Sequence, residues 1–158
     1  MKLTDFKQDK SLATEGVVKN FDPDGKCYIR VARMNNPNFE AAMRRLSAPY
    51  KTFRKSKVPD AVSDDIAKKA MAEAILLEMV GFEDAAGDIT GTKGAIIEDT
   101  YENRFKVLSH KDYGDFLEMI ATISMDFESF KVQEQETDLG NSQSSSGGSG
   151  LGDEKKSS

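Results

Sequence analysis

The segment 111–131, KDYGDFLEMIATISMDFESFK, constrains the fold more than any other part of the chain. At about 100° per residue, its large apolar side chains fall on one stripe of a helix and its polar side chains fall opposite. Full burial of one such side chain contributes about 1.5–3 kcal/mol, so the stripe needs a surface to pack on. We therefore predict an amphipathic helix, whose stripe forms either the core face of a small domain or a face shared with a partner protein. The stripe comprises Tyr113, Phe116, Leu117, Ile120, Ile123, Phe127 and Phe130.

A β-hairpin and a first helix are predicted near the start of the chain. The turn sequence Asp22-Pro23-Asp24-Gly25 separates an apolar run at 17–21 from a strand-forming run at 27–33. Asn35-Asn36-Pro37 ends the second strand, and the pattern that follows predicts a helix at 37–47 with Asn36 as its N-cap.

A second helix is predicted to begin near 60–63, with Ser63 as its cap, and to continue to Val80. Residues 75–80 are apolar on nearly all sides, which is typical of a helix at the centre of a core. Gly81 is predicted to end this helix in the left-handed conformation. A loop at 82–97 and a short helix at 101–108, capped by Asp99 or Thr100, then lead to the amphipathic helix.

These elements predict a mainly α fold with a small N-terminal β-hairpin, which belongs to the α+β class. Residues 1–15 are predicted to be a flexible arm, and residues 16–132 a single globular α-rich domain. Residues 133–158 are first acidic and then rich in Ser and Gly. They contain too few apolar side chains to offset the entropy of ordering, so we predict a disordered tail.

From the composition we expect a cytosolic protein, with charge that is distributed unevenly along the chain. The single cysteine, Cys27, permits no intramolecular disulfide, and the first ten residues lack the apolar region of a secretory signal. No apolar run approaches the roughly 18 residues that cross a bilayer. The net charge is −5, yet seven basic residues and one acidic residue, Glu40, lie between Arg33 and Lys57. The sequence thus predicts a positive band on an acidic body.

Catalysis and cofactor binding are not indicated. His110 is the only histidine, so a metal cluster or a Cys–His pair with Cys27 would have no further residue of either type to complete it. The segment Gly91-Thr92-Lys93-Gly94 lacks the spacing of a phosphate-binding loop, and 84–89 lacks the calcium-loop pattern. We expect no catalytic residue, no metal and no cofactor.

The positive band is the better candidate for a binding site. Tyr50 and Phe53 lie among its cations and could stack on bases, but the acidic body and the lack of a nucleic-acid motif argue against nucleic acid. An acidic protein surface fits the same residues, and an ordinary exposed basic surface is the alternative. A second copy supplies such a surface on the acidic side of its 111–131 helix, so we expect self-association through Glu118 and Asp126. We call six of these seven cations, which are expected to contact a partner, the basic band: Arg33, Arg44, Arg45, Lys51, Arg54 and Lys55.

The order of several short motifs resembles that of the tail assembly chaperones of long-tailed bacteriophages, over roughly residues 16–141. Two departures concern Met79, where many relatives have Trp, and the loop at 84–98, which looks longer here. The motifs are IRVARMNNPNF at 29–39, LLEMVGF at 76–82, DTYEN at 99–103, and YGDFL at 113–117 followed by Ala121, Phe127, Phe130 and Lys131.

This resemblance implies a small, non-enzymatic protein of the host cell cytoplasm. Such proteins coat the tape measure protein, keep its apolar surface soluble, help bring tail tube subunits to it, and are absent from the mature particle. The resemblance also implies a longer form made by ribosomal frameshifting, for which a slippery run encoding Lys155-Lys156 is a hypothesis. The alternatives are a virion structural or head–tail connector protein, and a small nucleic-acid-binding regulator.

Overall fold

A computed structural model describes residues 1–51 and 58–132 of the chain. Residues Lys10–Phe130 form one compact unit, in which helices accompany a three-stranded antiparallel sheet of order β1-β2-β3. The predicted α+β class is therefore confirmed. The helices are α1 (Lys10–Glu15), α2 (Pro37–Ser47), α3 (Asp60–Ala74), α4 (Tyr101–Ser109), α5 (Gly114–Met125) and α6 (Phe127–Phe130), and the strands are β1 (Val17–Asn20), β2 (Tyr28–Val31), β3 (Leu76–Val80), β4 (Glu83–Asp84) and β5 (Ala95–Ile96).

The predicted hairpin is present, and its second strand is the centre of the sheet. Val17 pairs with Val31 and Asn20 pairs with Tyr28, so β1 and β2 are antiparallel. In β2, Ile29 and Val31 are fully buried, whereas Tyr28 and Arg30 are half-buried on the other face. This alternation follows from the period of two residues along a strand.

Asn36 joins three elements at the beginning of α2. Its side-chain oxygen accepts hydrogen bonds from the amides of Asn38 (2.9 Å) and Phe39 (3.0 Å), which confirms the predicted N-cap. Its side-chain nitrogen donates to the carbonyl oxygens of Arg33 (2.8 Å) and Ala74 (3.0 Å). Only 2% of Asn36 is exposed, so this one amide satisfies buried polar groups of α2, α3 and the end of β2.

The prediction of a helix that continues to Val80 is wrong for the segment 75–80. Helix α3 ends at Ala74, and Leu76–Val80 form a strand that pairs with β2. Leu77 is an extra residue in this pair, because Glu78 faces Arg30 while Leu76 faces Val31. Such a bulge interrupts the alternation of buried and exposed side chains, so the local pattern resembled an all-apolar helix. At the other end of α3, Ser63 is not the cap, since the helix begins at Asp60.

The predicted helix at 111–131 is divided into three parts. A 3₁₀ turn at Lys111–Tyr113 precedes α5, and Asp126 has an extended conformation before α6. Ile120 is fully buried, and the apolar side chains from Tyr113 to Ile123 pack against the same core. Up to the break at Asp126 the stripe is thus the core face of this unit, as the first of the two interpretations proposed. Core residues of the unit include Ile29, Val31, Met71, Ala72, Ile75, Leu76, Met79, Ile89, Ile97, Val107, Leu108 and Ile120.

The first 15 residues contain more regular structure than the predicted arm. Helix α1 belongs to the large unit, with Ala13 buried and its carbonyl oxygen accepting a hydrogen bond from the Arg33 amide (2.8 Å). Met1–Asp9 belong to a separate unit with Lys131 and Val132. In that unit Leu3–Phe6 form a 3₁₀ helix and Gln8 bridges to Lys131. The predicted tail at 133–158 lies outside the described residues.

Candidate partner-binding surfaces

Arg44 and Arg45 lie side by side in the last turn of α2, and both are exposed. The Arg45 guanidinium forms a bidentate ion pair with Glu73 of α3, in which Nη1 lies 3.1 Å from Oε2 and Nη2 contacts Oε1. Arg44 has no ion pair within the part of the chain that the structure describes. Of these two cations, only Arg45 therefore has a carboxylate partner among the described residues.

Lys51 borders a cavity of about 240 Å³ between α2, α3 and the 3₁₀ turn Ala48–Tyr50. The wall is mainly apolar, with one exposed cation and two serines at its edge. Arg54 and Lys55, the remaining members of the basic band after Lys51, lie outside the described residues. The lining residues are Met43, Ser47, Tyr50, Lys51, Val58, Ser63 and Ile66.

Arg33 has contacts within its own unit. Its guanidinium lies 5.6 Å from the centre of the Phe130 ring, and its Nη1 donates to the Ser124 carbonyl oxygen at 3.4 Å. A cation above an aromatic face is attracted by the ring electrons. Arg33 thus connects the end of β2 with the end of α5, and its predicted contact with a partner stays a prediction.

The two acidic residues predicted to bind a second copy have different environments. Glu118 is exposed on α5 and has no hydrogen bond or ion pair among the described residues. Asp126 is also exposed, but its carboxylate accepts hydrogen bonds from the Ser129 hydroxyl (2.5 Å) and the Glu128 amide (3.3 Å). Asp126 therefore caps α6, so its replacement by lysine would remove these two hydrogen bonds.

A second cavity, of about 140 Å³, was not predicted from the sequence. Phe82, which follows β3, and Phe116 of α5 line it with ring centres 5.8 Å apart in an edge-to-face arrangement. Phe21, at the end of β1, packs edge-to-face on Phe82 at 5.4 Å and is 41% exposed. The aromatic row thus runs from the cavity wall to the surface. The cavity is lined by Met79, Phe82, Glu83, Asp84, Ile89, Ile97, Val107, Tyr113 and Phe116.

Asp84 organises the loop that forms one side of this cavity. Its buried carboxylate accepts hydrogen bonds from the amides of Gly87, Asp88, Ile89 and Thr90 and from the Thr90 hydroxyl, at 2.7–3.1 Å. Burial acts to raise the pKa of Asp84, but the hydrogen bonds from Thr90, Ile89 and Asp88 outweigh it, so the pKa lies below its ordinary value. An ionised carboxylate with five donors holds the β4–β5 connection in one conformation.

Asp88, His110 and Tyr113 meet beside the same cavity. The Tyr113 hydroxyl donates to Asp88 Oδ2 at 3.1 Å, and His110 Nε2 lies 3.9 Å from that oxygen. Burial and the hydrogen bond to Asp88 raise the pKa of Tyr113. The cluster thus connects the loop after β4 with the 3₁₀ turn before α5.

Within residues 1–51 and 58–132, no group of three or more His, Cys, Asp or Glu side chains is arranged to hold a metal ion. In the same residues, every helix is too short or too polar to cross a bilayer. Comparison with protein-family models, with curated proteins and with solved structures finds no match to this chain.

Proposed function

We propose that this chain is a tail assembly chaperone of a long-tailed bacteriophage. In this role it binds the tape measure protein in the host cell cytoplasm, keeps that protein soluble, and helps recruit tail tube subunits. It leaves before the particle is complete. The proposal requires no catalytic residue, and a longer frameshifted form would carry the same domain.

The proposal is supported mainly by one observation. The motifs of the resemblance contain residues that connect the helices and strands of this fold. Asn36, in the first motif, satisfies buried groups of α2, α3 and β2, and Gly81, in the second, lies against the backbone of Lys26 and Cys27. Thr100, in the third, caps α4 by accepting a hydrogen bond from the Asn103 amide at 3.1 Å. These residues hold helices and strands of this fold in place, so the motifs of the resemblance include structurally important positions, which supports the proposal.

Surface chemistry also supports a protein-binding role. Exposed large apolar side chains of the Lys10–Phe130 unit include Phe21 and Ile96, which are 41% and 62% exposed. Glu118 on α5 and Arg44 on α2, both without an ion pair among the described residues, provide charges of opposite sign. Apolar contact combined with complementary charge is the usual basis of specific protein association.

Co-expression tests this function directly. The tape measure protein encoded downstream should accumulate in the soluble fraction with this chain and in the pellet without it. An equal soluble fraction in the two cases would overturn the proposal.

Mass spectrometry of purified particles separates the proposal from the structural alternative. A chaperone should be missing from the particle, whereas a connector or other virion subunit should be present in stoichiometric amount. Tail tube subunits provide the internal standard for the measurement.

A further inference from the structure

We infer that the 140 Å³ cavity is a socket for one large apolar side chain of a partner helix, with Glu83 binding a lysine or arginine on the same face of that helix. The inference rests on the proposed function and specifies how the tape measure protein is recognised. The occupant is an amphipathic segment in which a phenylalanine or leucine lies three or four positions from a cation. Residues at that spacing lie next to each other on a helix.

The size and lining of the cavity match a single side chain. An apolar cavity of about 150 Å³ in another protein holds one benzene molecule, so 140 Å³ accommodates the ring of one phenylalanine. Apolar side chains form most of the wall, and they include Met79 of β3, Val107 of α4 and Phe116 of α5. The exposed Glu83 is among the lining residues, so the cavity reaches the surface there, and Phe21 packs on the lining residue Phe82.

The charge at the mouth determines which partner fits. Asp84 already has five hydrogen-bond donors, whereas the exposed Glu83 has no ion pair or side-chain hydrogen bond among the described residues. No lysine or arginine is among the described residues that line the cavity. A carboxylate beside an apolar socket, with no cation in the described lining, favours a basic residue on the partner.

Ile96 extends the apolar contact next to this carboxylate. It pairs directly with Glu83 across β4 and β5, so the two side chains lie on the same face of the ribbon. Ile96 is 62% exposed, so it offers apolar area beside this carboxylate. A helix that binds beside Glu83 would thus also contact Ile96.

Peptide titration tests the socket. Overlapping peptides of the tape measure protein are added to the isotopically labelled full chain, and amide shifts are followed by NMR. The binding peptides should share an apolar residue three or four positions from lysine or arginine, and should shift the signals of Phe82, Ile96 and Phe116. Shifts confined to other regions, or the absence of shifts at millimolar peptide, would overturn the socket.

Three variants test the individual residues of the socket. Glu83→Lys should weaken peptide binding about fivefold or more and favour a peptide whose cation is changed to glutamate. Val107→Leu, which places an extra methylene in the cavity, and Ile96→Asp should also weaken binding while the chain stays folded by circular dichroism. Asp64→Lys is the matched control, because Asp64 is exposed on α3, which does not line this cavity.

The outcomes separate the socket from the wider function. If the wild-type chain solubilises the full tape measure protein but Glu83→Lys binds the peptides with unchanged charge preference, the socket is wrong and the chaperone function stands. If the wild-type chain does not change the solubility of that protein, the proposed function itself fails.

Discussion

Arg30 of β2 and Glu78 of β3 face each other across the sheet, and Arg30 Nε donates a hydrogen bond to the Glu78 carboxylate. The Tyr28 hydroxyl donates to the other carboxylate oxygen at 2.8 Å. Because both bonds stabilise the ionised form, with Arg30 the larger cause, the pKa of Glu78 lies below its ordinary value. The pair thus joins two strands whose residues are 48 positions apart in the sequence.

Glu78 should make the stability of the fold depend on pH in the acid range. Its folded-state pKa is lowered, so the stabilisation is present above the unfolded-state value of about 4.3 and is lost as pH falls below it. Glu78→Gln should lower the free energy of unfolding by about 1 kcal/mol at neutral pH, and by progressively less toward pH of about 3. Urea denaturation across this range measures the difference. A difference that does not change with pH would contradict the role of the ionised carboxylate. Glu118→Gln is the control, because Glu118 is exposed on α5 and has no hydrogen bond or ion pair among the described residues.

Gly81 should not tolerate a side chain. Its φ is +86°, and a Cβ built there would overlap the Lys26 carbonyl oxygen. Gly81→Ala is therefore expected to reduce the free energy of unfolding by at least about 1–3 kcal/mol, the usual cost of a strained conformation. Gly114→Ala is the matched control, because Gly114 has φ −59° and, apart from its chain neighbours and the backbone of its own helix, no atom lies within 4 Å of the position that its Cβ would occupy. Equal urea midpoints for the two variants would contradict the steric explanation.

Asp84 should control the order of its loop. Asp84→Ala removes the acceptor of five hydrogen bonds, so the amides of Ile89 and Thr90 should exchange with solvent about tenfold faster or more. Since the pKa of Asp84 is lowered, wild-type protection should persist above pH of about 4 and decline below it. Hydrogen exchange measured by NMR gives both results. Asp112→Ala, at an exposed carboxylate, should leave these amides unchanged.

Glu118 should contribute to self-association through another copy's basic band. Glu118→Lys is expected to weaken association severalfold in sedimentation experiments, and Arg44→Glu should do the same, because each reverses a charge of the expected contact. Combining Glu118→Lys with Arg44→Glu should restore part of the affinity if the two residues meet.

Controls for this prediction follow from the environments of the side chains. Asp24→Lys changes charge by the same amount on an exposed turn of the hairpin and should have little effect. Asp126→Lys is a poorer probe than Glu118→Lys, since it also removes the cap of α6. Association that is insensitive to both Glu118→Lys and Arg44→Glu would exclude this contact.

The features that were predicted correctly from the sequence depend on residues that are close together in the chain. The Asn36 cap, the hairpin turn and the Thr100 cap depend on residues within three positions of one another, so their signals are visible without the fold. The stripe of α5 was identified for the same reason, since helical spacing alone places its side chains on one face. The break at Asp126 was missed, because the residues on both sides of it continue the helical pattern.

For the candidate sites too, the charged residues were identified from the sequence, whereas their contacts and the cavity depend on the tertiary structure. The charges of Arg44, Arg45, Lys51 and Glu118 were identified from the chain alone, because a cluster of like charges is a local property. The ion pair that occupies Arg45 and the cap formed by Asp126 depend on the positions of their partners. The 140 Å³ cavity was not foreseen, since β3, β4, α4 and α5 each contribute only a few of its wall residues.

By itself, the sequence determined the α+β composition of this protein, the cap of α2, and the apolar face of α5, all of which follow from spacing along the backbone. Only the tertiary structure decided that 76–80 is a strand. The bulge at Leu77 conceals the period of two, and the pairing with β2 and the Arg30–Glu78 contact stabilise an extended conformation that local propensity does not favour. The amphipathic segment at 111–131 shares this dependence: its stripe is set by the sequence, whereas the core that covers it is assembled from distant elements.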